Sequence, residues 1–371
     1  MKIIINTDQI YLHGGIEKVL TTKANYWANL PNFEVFIVTT EQQNNKPCYP
    51  LDYKVNLIDL GINYNRHKSY FSKENLIKAS KHYKNQKQLL KKLKPNVILS
   101  PNFNFDHFWL PAIKKDAKLL KELHASRYKE NEERKTASFF KKIKFKLHDW
   151  VNARYDNIVV LNDDEKKYIH SHNAVVIPNP IDAQTIQAPL IANKVMAAGR
   201  ISPVKGFDHL IKAWAIVYEK FPHWELHIYG QDYLNTEEKL NRLISDLGLE
   251  KVVYFMGSVE NIPEKMMEYS LYAMTSETEC FPMVLLEALS VGLPIVSYDC
   301  PNGPRNILQD KTDGVLVSNQ DINLFADALM ELMEDNAKRK SMGKLAKINS
   351  LRFTTEEVMK KWQSLINLPN V

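Results

Sequence analysis

The sequence predicts an α/β protein of two doubly wound domains, each built on a parallel sheet. Three observations lead there. At 371 residues with 44% apolar content, the chain can bury a full core and exceeds the usual length of one domain. Short β-branched runs alternate with helical stretches along both halves, the rhythm of parallel sheets. Between the halves, residues 178–190 read PNPIDAQTIQAPL, with three prolines and no periodicity; proline cannot donate to a sheet ladder and breaks helices.

In the first half, strands are predicted near residues 2–6, 33–38, 96–100, 118–123 and 157–161, with helices near 15–29 and 73–93 between them. The second half repeats the pattern, with strands near 194–198, 224–229, 252–256, 271–275 and 294–298. Thr354-x-x-Glu357 is a capping-box pattern followed by Val358, Trp362, Leu365 and Ile366 at helical spacing, so a terminal helix needs an apolar surface to cover. The predicted divisions are residues 1–180, residues 181–352, and a helix over 353–371 that packs back on the first domain. No repeat of about 20–50 residues is visible, which disfavours a solenoid or propeller.

Composition narrows the class further. The 25% charged and 10% aromatic fractions are those of a folded chain rather than a disordered one. The opening MKIIINT is too short an apolar run for a signal peptide, and no stretch approaches the ~18 apolar residues of a membrane helix. The expected location is therefore the cytoplasm, or the inner face of the plasma membrane. Cys48, Cys280 and Cys300 show no C-x-x-C spacing, which argues against disulfides or structural zinc. Charge is split: residues 1–180 hold 30 Lys and Arg against 18 Asp and Glu, and the rest hold 19 against 25. A half at +12 suits an anionic partner, whether a phosphate-bearing acceptor, a membrane surface or nucleic acid, or is simply a solvated lysine-rich face.

Ligands of open parallel sheets sit beyond the C-terminal strand ends, so the residues just after each strand matter most. In AAGRISPVKGF, Gly199 and Arg200 leave a strand and Lys205 precedes the next helix; two fixed cations at one sheet edge suit a diphosphate. In TSETECFPMVLLEALSVGLPIVSYD, Pro282 is expected at the first helical position, which leaves the amides of Phe281, Met283 and Val284 at the positive end of a helix dipole. Glu279 and Glu287 flank that cradle, able to accept hydrogen bonds from sugar hydroxyls. An E-x7-E spacing alone has little specificity.

Set in order, Gly199-Arg200, Lys205-Gly206 and Ser276 to Ala288 resemble the signature of the retaining glycosyltransferases of GT-B fold, in particular the large fourth family, whose later motif is S-x-x-E-G-F-P-x-x-L-L-E-A. The resemblance covers nearly the whole chain. It implies two Rossmann-like domains facing a cleft. It also implies that Arg200 and Lys205 bind the donor diphosphate in place of a metal, that Glu279 holds hydroxyls of the transferred sugar, and that Glu287 holds the ribose. The amides after Phe281 would contact phosphate, and the base would lie near Gly257 to Asn261. Two residues depart from the family pattern: Cys280 replaces the usual glycine, and Asn306 stands where many members have an acid.

In the first half, Gly14-Gly15 lies between a strand and a helix, where a glycine pair permits close backbone approach to a phosphate, although such a pair is only a turn in most proteins. His124 follows a strand, again at the ligand edge. The resemblance places the glycine loop opposite the donor phosphates and the acceptor, and His124 near the donor sugar. Phe139, Phe140, Ile143, Leu147, Trp150 and Val151 recur at helical spacing among Lys141, Lys142, Lys144 and Lys146. Such a helix either lies on anionic lipid or packs its apolar face on its own sheet.

These readings converge on a hexosyltransferase that works without metal or other cofactor and retains anomeric configuration. Its donor is expected to be a UDP-sugar, its acceptor a glycan or lipid-linked glycan of surface polysaccharide synthesis, and an anionic membrane surface is a further candidate partner. The rivals are a sugar-nucleotide epimerase of similar fold and a nucleic-acid-binding protein. No aromatic-and-basic signature of a nucleic-acid module accompanies the +12 half, so nucleic acid is not an expected partner.

Overall fold

The computed structural model describes residues 1–101 and 104–367; the last four residues of the expected terminal helix lie outside them. The chain forms two compact units, residues 1–180 with the stretch from Val358 onward, and residues 181–357.

The first unit holds seven parallel strands: β1 (Lys2–Thr7), β2 (Glu34–Thr39), β3 (Asn56–Asp59), β4 (Val97–Ser100), β5 (Lys118–Glu122), β6 (Asn157–Val160) and β7 (Ala174–Val176). Their order is β3-β2-β1-β4-β5-β6-β7, a doubly wound sheet that reverses direction of growth between β1 and β4. Side chains of a strand alternate between faces. Accordingly Ile3, Ile5, Val35, Ile37, Val97 and Leu99 enter one core, while Ile4, Phe36, Val38 and Ile98 enter the other. Runs apolar at every position are what a sheet covered on both sides demands.

The helix Thr355–Asn367 joins the first of these cores through Val358, Met359, Trp362, Leu365 and Ile366, beside Leu20, Ala24 and Trp27 of the helix Gly15–Ala28. Trp27 and Trp362 meet edge to face at 6.0 Å. The buried ammonium of Lys118 donates to the Leu365 carbonyl at 2.7 Å, which ties the helix end to β5. The apolar spacing of the tail thus has its surface.

The second unit holds six parallel strands: β8 (Lys194–Ala198), β9 (Glu225–Tyr229), β10 (Val253–Phe255), β11 (Leu271–Met274), β12 (Ile295–Tyr298) and β13 (Gly314–Val317), ordered β10-β9-β8-β11-β12-β13. One face packs Val195, Ala197, Leu226, Ile228 and Val296 under the helices Phe207–Lys220 and Ile322–Glu334, through Trp214, Phe325 and Leu329. Among the described residues no helix is long and apolar enough to cross a membrane.

Candidate active site

The second sheet reverses its order between β8 and β11, and a ligand crevice of a doubly wound sheet opens beyond the C-terminal ends at that point. β8 runs out into Gly199 and Arg200; β11 runs out into Thr275 to Pro282. The two turns singled out in the sequence are therefore neighbours. They are also stitched together, because Glu277 donates its N–H to the Val204 carbonyl at 2.9 Å and the Thr275 hydroxyl donates to the Gly206 carbonyl at 2.9 Å. Gly206 takes φ +61°, and a β-carbon there would lie 2.2 Å from the Thr275 carbonyl oxygen, so no side chain fits.

Lys205 leaves this junction pointing at the second turn. Its ammonium donates to Glu279 Oε1 at 2.7 Å, with the two side chains 22% and 15% exposed. Arg200 is exposed, its guanidinium 4.9 Å from the ring centre of Tyr233. Tyr233 reaches that place because Ile201 and Tyr233 extend the pairing of β8 and β9, the Tyr233 N–H donating to the Ile201 carbonyl at 2.9 Å.

Glu279 is held from behind by the turn after β12. Its N–H donates to the Pro301 carbonyl at 3.0 Å, and the Thr278 hydroxyl donates to the same carbonyl at 3.1 Å. A β-carbon at Gly303 would come within 2.8 Å of both Glu279 Cβ and Pro282 Cδ. Cys300 is fully buried beside the pair: burial pushes its thiol up, Glu279 adds to this and Lys205 opposes it. Tyr272, at the root of β11, is likewise pushed up by burial and then by Glu287 and Glu279, which places both carboxylates within electrostatic reach of one phenol.

The helix of the second turn spans Met283–Ser290, one residue later than expected. Pro282 is its N-cap rather than its first residue, with φ −67° and ψ 111°, because its carbonyl already accepts the first helical bond, from Leu285 N–H at 3.1 Å. The amides of Met283 and Val284 thus open the first turn, at the positive end of the dipole. Phe281 precedes the cap, buried, with its ring 5.6 Å from that of Phe353. Glu287 lies on the second turn and is buried; Cys280 is buried too.

Gly257 follows β10 with φ +68°, and its carbonyl accepts from Gly230 N–H at 2.8 Å. Gly230 in turn lies against Gly199, where a β-carbon would come 1.9 Å from the Gly199 carbonyl oxygen. Three glycines line the ends of β8, β9 and β10. Gly199 also leaves room for the Lys205 stem, which a β-carbon would meet at 3.1 Å. Asn306 donates to the Asn302 carbonyl within the turn after β12.

The remaining candidates belong to the first unit. Gly14 is the N-cap of the helix Gly15–Ala28, in extended conformation, and Gln9 organises the loop before it by accepting from Tyr11 and Leu12 N–H at 2.8 and 2.9 Å while donating to Glu17 at 2.6 Å. His124 follows β5 with Nε2 3.3 Å from Glu122 Oε1. Glu122 also holds Lys23, buried on the helix Gly15–Ala28. No grouping of three or more His, Cys, Asp or Glu suited to a metal occurs among the described residues.

Residues 181–348 match the family described as glycosyl transferases group 1, and residues 13–185 match glycosyltransferase family 4. This chain is a glycosyltransferase of the GT-B fold. It is 33% identical over 218 residues to an exopolysaccharide phosphotransferase of Streptomyces coelicolor, a match covering 57% of this chain and 23% of that protein. The chain thus spans under a quarter of that relative. To the poly(ribitol-phosphate) α-N-acetylglucosaminyltransferase of Staphylococcus aureus it is 24% identical, over 90% of this chain and 70% of the relative. HepE of Anabaena, solved with UDP and glucose, superposes with a TM-score of 0.75 at 19% identity, over 98% of this glycosyltransferase and 99% of HepE.

Sequence reading missed the parts that act through space. The Thr275 tie, the Tyr233 ring beside Arg200 and the Gly303 buttress behind Glu279 each join residues that are tens of positions apart. The glycine before Pro304 was the one available signal for the buttress.

Proposed function

We propose that this glycosyltransferase moves a hexose or N-acetylhexosamine from a nucleotide-sugar, UDP-linked, to a glycan or lipid-linked acceptor in cell-surface polysaccharide synthesis, with retention and without a metal. The observation that carries the reading is the Lys205–Glu279 pair at 2.7 Å, beside Arg200 and the first turn of the helix Met283–Ser290. A cation held by a carboxylate at a helix N-terminus is a site matched to a sugar diphosphate, with phosphate on the cationic side and hydroxyls on the carboxylate.

In this reading Arg200 and Lys205 carry the charge that grows on the departing diphosphate, which is where electrostatic stabilisation counts most. Gly199 and the amides of Phe281, Met283 and Val284 hold phosphate, Glu279 accepts from sugar hydroxyls, Glu287 accepts from the ribose, and the base lies by Gly257. The acceptor oxygen bonds to the anomeric carbon on the face the diphosphate leaves, its proton passing to the departing phosphate oxygen. Gly14, Gly15 and His124 are assigned to the same reaction, the glycines to phosphate and His124 to sugar and acceptor.

Two comparisons support the substrate classes. HepE holds UDP and glucose on the same fold, and the Staphylococcus relative is named for a polyanionic acceptor, which suits a half-chain charge of +12. The reaction is placed in the cytoplasm, where nucleotide-sugars are available. A thermal-shift screen across UDP, GDP, ADP and their sugars tests the reading: UDP compounds should raise Tm, and no response to any nucleotide would overturn it. Incubation with the donor alone should give slow hydrolysis; an epimerised nucleotide-sugar would instead favour the rival chemistry.

A further inference from the structure

The helix Phe139–Asn152 is amphipathic, but its apolar stripe faces out. Its inward side is made by Phe145, His148, Asp149, Val151 and Asn152. Asp149 receives two nitrogens of Arg134 at 2.8 Å, the Arg134 guanidinium lies 4.5 Å over the Phe145 ring, and His148 stacks on His107 at 5.7 Å. Val151 and Asn152 are buried. Phe139, Phe140, Ile143, Leu147 and Trp150 remain between 48 and 81% exposed. At 3.6 residues per turn these five fall in one stripe about 100° wide. Packing on the sheet, the bland alternative for this helix, is therefore not what the stripe does.

Charge frames the stripe. Lys142 and Lys146 border one side of it and Lys144 the other, while Lys141 is paired with Glu133. Neither Lys142 nor Lys146 makes an ion pair among the described residues. Arg154 lies over the exposed Trp150 ring. Large aromatic and aliphatic side chains bordered by unpaired cations are the chemistry of a helix lying in an anionic bilayer interface, with apolar groups among the acyl chains and ammonium groups at the headgroups.

We propose that the helix Phe139–Asn152 docks this protein on an anionic lipid bilayer. A second copy is the weaker occupant, because a two-fold contact through this stripe would set Lys142 and Lys146 against their own mates. A nucleic acid is weaker still, having no complement for five exposed apolar side chains. The inference does not depend on the donor or acceptor of the glycosyl transfer, since it concerns binding alone.

Co-sedimentation of the full chain with vesicles tests it. The protein should pellet with vesicles of phosphatidylglycerol in phosphatidylcholine, pellet far less with phosphatidylcholine alone, and come off as salt is raised. Phe140→Ser with Leu147→Ser, and separately Lys142→Ser with Lys146→Ser, should each weaken binding about tenfold or more while leaving the circular dichroism spectrum and Tm unchanged. Equal binding to neutral and anionic vesicles, or variants that bind like the parent, would overturn the proposal. So would a dimer that the Phe140→Ser, Leu147→Ser variant dissolves, without vesicle binding by either protein.

Discussion

Lys205 Nζ and Glu279 Oε1 lie 2.7 Å apart across two loops that leave adjacent strands, so the cation is held in place before any ligand arrives. Glu279 is anchored by its N–H in the turn after β12, and the Lys205 backbone by Ser202 and the Thr275 hydroxyl, so the pair joins two fixed loops. Under the proposed chemistry the ammonium turns from carboxylate to diphosphate as charge builds. Lys205→Ala should lower kcat by about 10²–10³, with a small change in Tm because the pair is partly solvated. Glu279→Gln should raise KM for the nucleotide-sugar more than it weakens free UDP. Steady-state kinetics with calorimetry of UDP binding separates the two, and a Lys205→Ala enzyme of unchanged turnover would sink the assignment.

Arg200 is fixed differently, by the face of Tyr233. A planar guanidinium can lie on a ring and still present two N–H groups to phosphate, which an ammonium cannot. Arg200→Ala should cost orders of magnitude in turnover, and Arg200→Lys should restore only part of it. Tyr233→Leu should weaken kcat/KM about tenfold or less through loss of the stack alone. Full rescue by lysine would show that charge, not geometry, is what Arg200 supplies.

Gly206→Ala probes the junction beneath both loops. The added β-carbon would strike the Thr275 carbonyl and would sit at φ +61°. The expected cost is about 2 kcal/mol or more in urea denaturation, since strain and clash act together. Because the shift would move Lys205, kcat should fall even at temperatures where the variant is fully folded. A variant as stable and active as the parent would mean the loops are not coupled through this contact.

The sequence made most of this architecture legible where side chains repeat a pattern. Ten strands announced themselves as largely apolar runs, which a sheet covered on both faces favours; β5, KLLKE, is the exception, because it buries Lys118, Lys121 and Glu122. β3, β7 and β13 did not: they are short edge or near-edge strands, and NLID, AVV and GVLV are only partly covered. In the candidate site, the neighbouring placement of Arg200, Lys205 and the Glu279 to Glu287 turn was readable because strand-to-helix turns at a sheet edge have a recognisable grammar. What was not readable depends on distant partners. Pro282 was off by one position because the Leu285 bond, not the proline, decides where the helix begins. The helix at 139–152 showed amphipathicity in its sequence, but only Arg134 and His107 reveal which side it buries.

Metal removal checks the role given to the cations. If Arg200, Lys205 and the helix N-terminus neutralise the diphosphate between them, chelation with EDTA should leave turnover within about twofold of the untreated enzyme, and added Mg²⁺ or Mn²⁺ should not rescue Lys205→Ala. Loss of activity on chelation, restored by one of these ions, would assign that neutralisation to a metal instead.

Lys23 and Glu122 form a buried ion pair in the first unit, with the Lys23 ammonium 4.5 Å over the Trp362 ring of the terminal helix. Burial works to raise the Glu122 carboxyl, but Lys23 and then His124 outweigh it and hold it at about 2, below the usual 4.5. The unfolded chain therefore takes up a proton on Glu122 between pH 4.5 and 2 that the folded chain refuses. Stability from this group is complete above pH 4.5 and is lost as pH falls through that window. Burial lowers the Lys23 ammonium and Glu122 opposes it, so removing Glu122 leaves a charge stranded. Glu122→Gln should cost about 3–5 kcal/mol at pH 7, whereas Lys23→Met combined with Glu122→Leu should recover most of that loss. Urea melts of the parent and the double variant from pH 7 to pH 3 check the sign. The double variant should lose less stability on acidification, and an identical acid slope in both would mean that Glu122 is not the group that titrates.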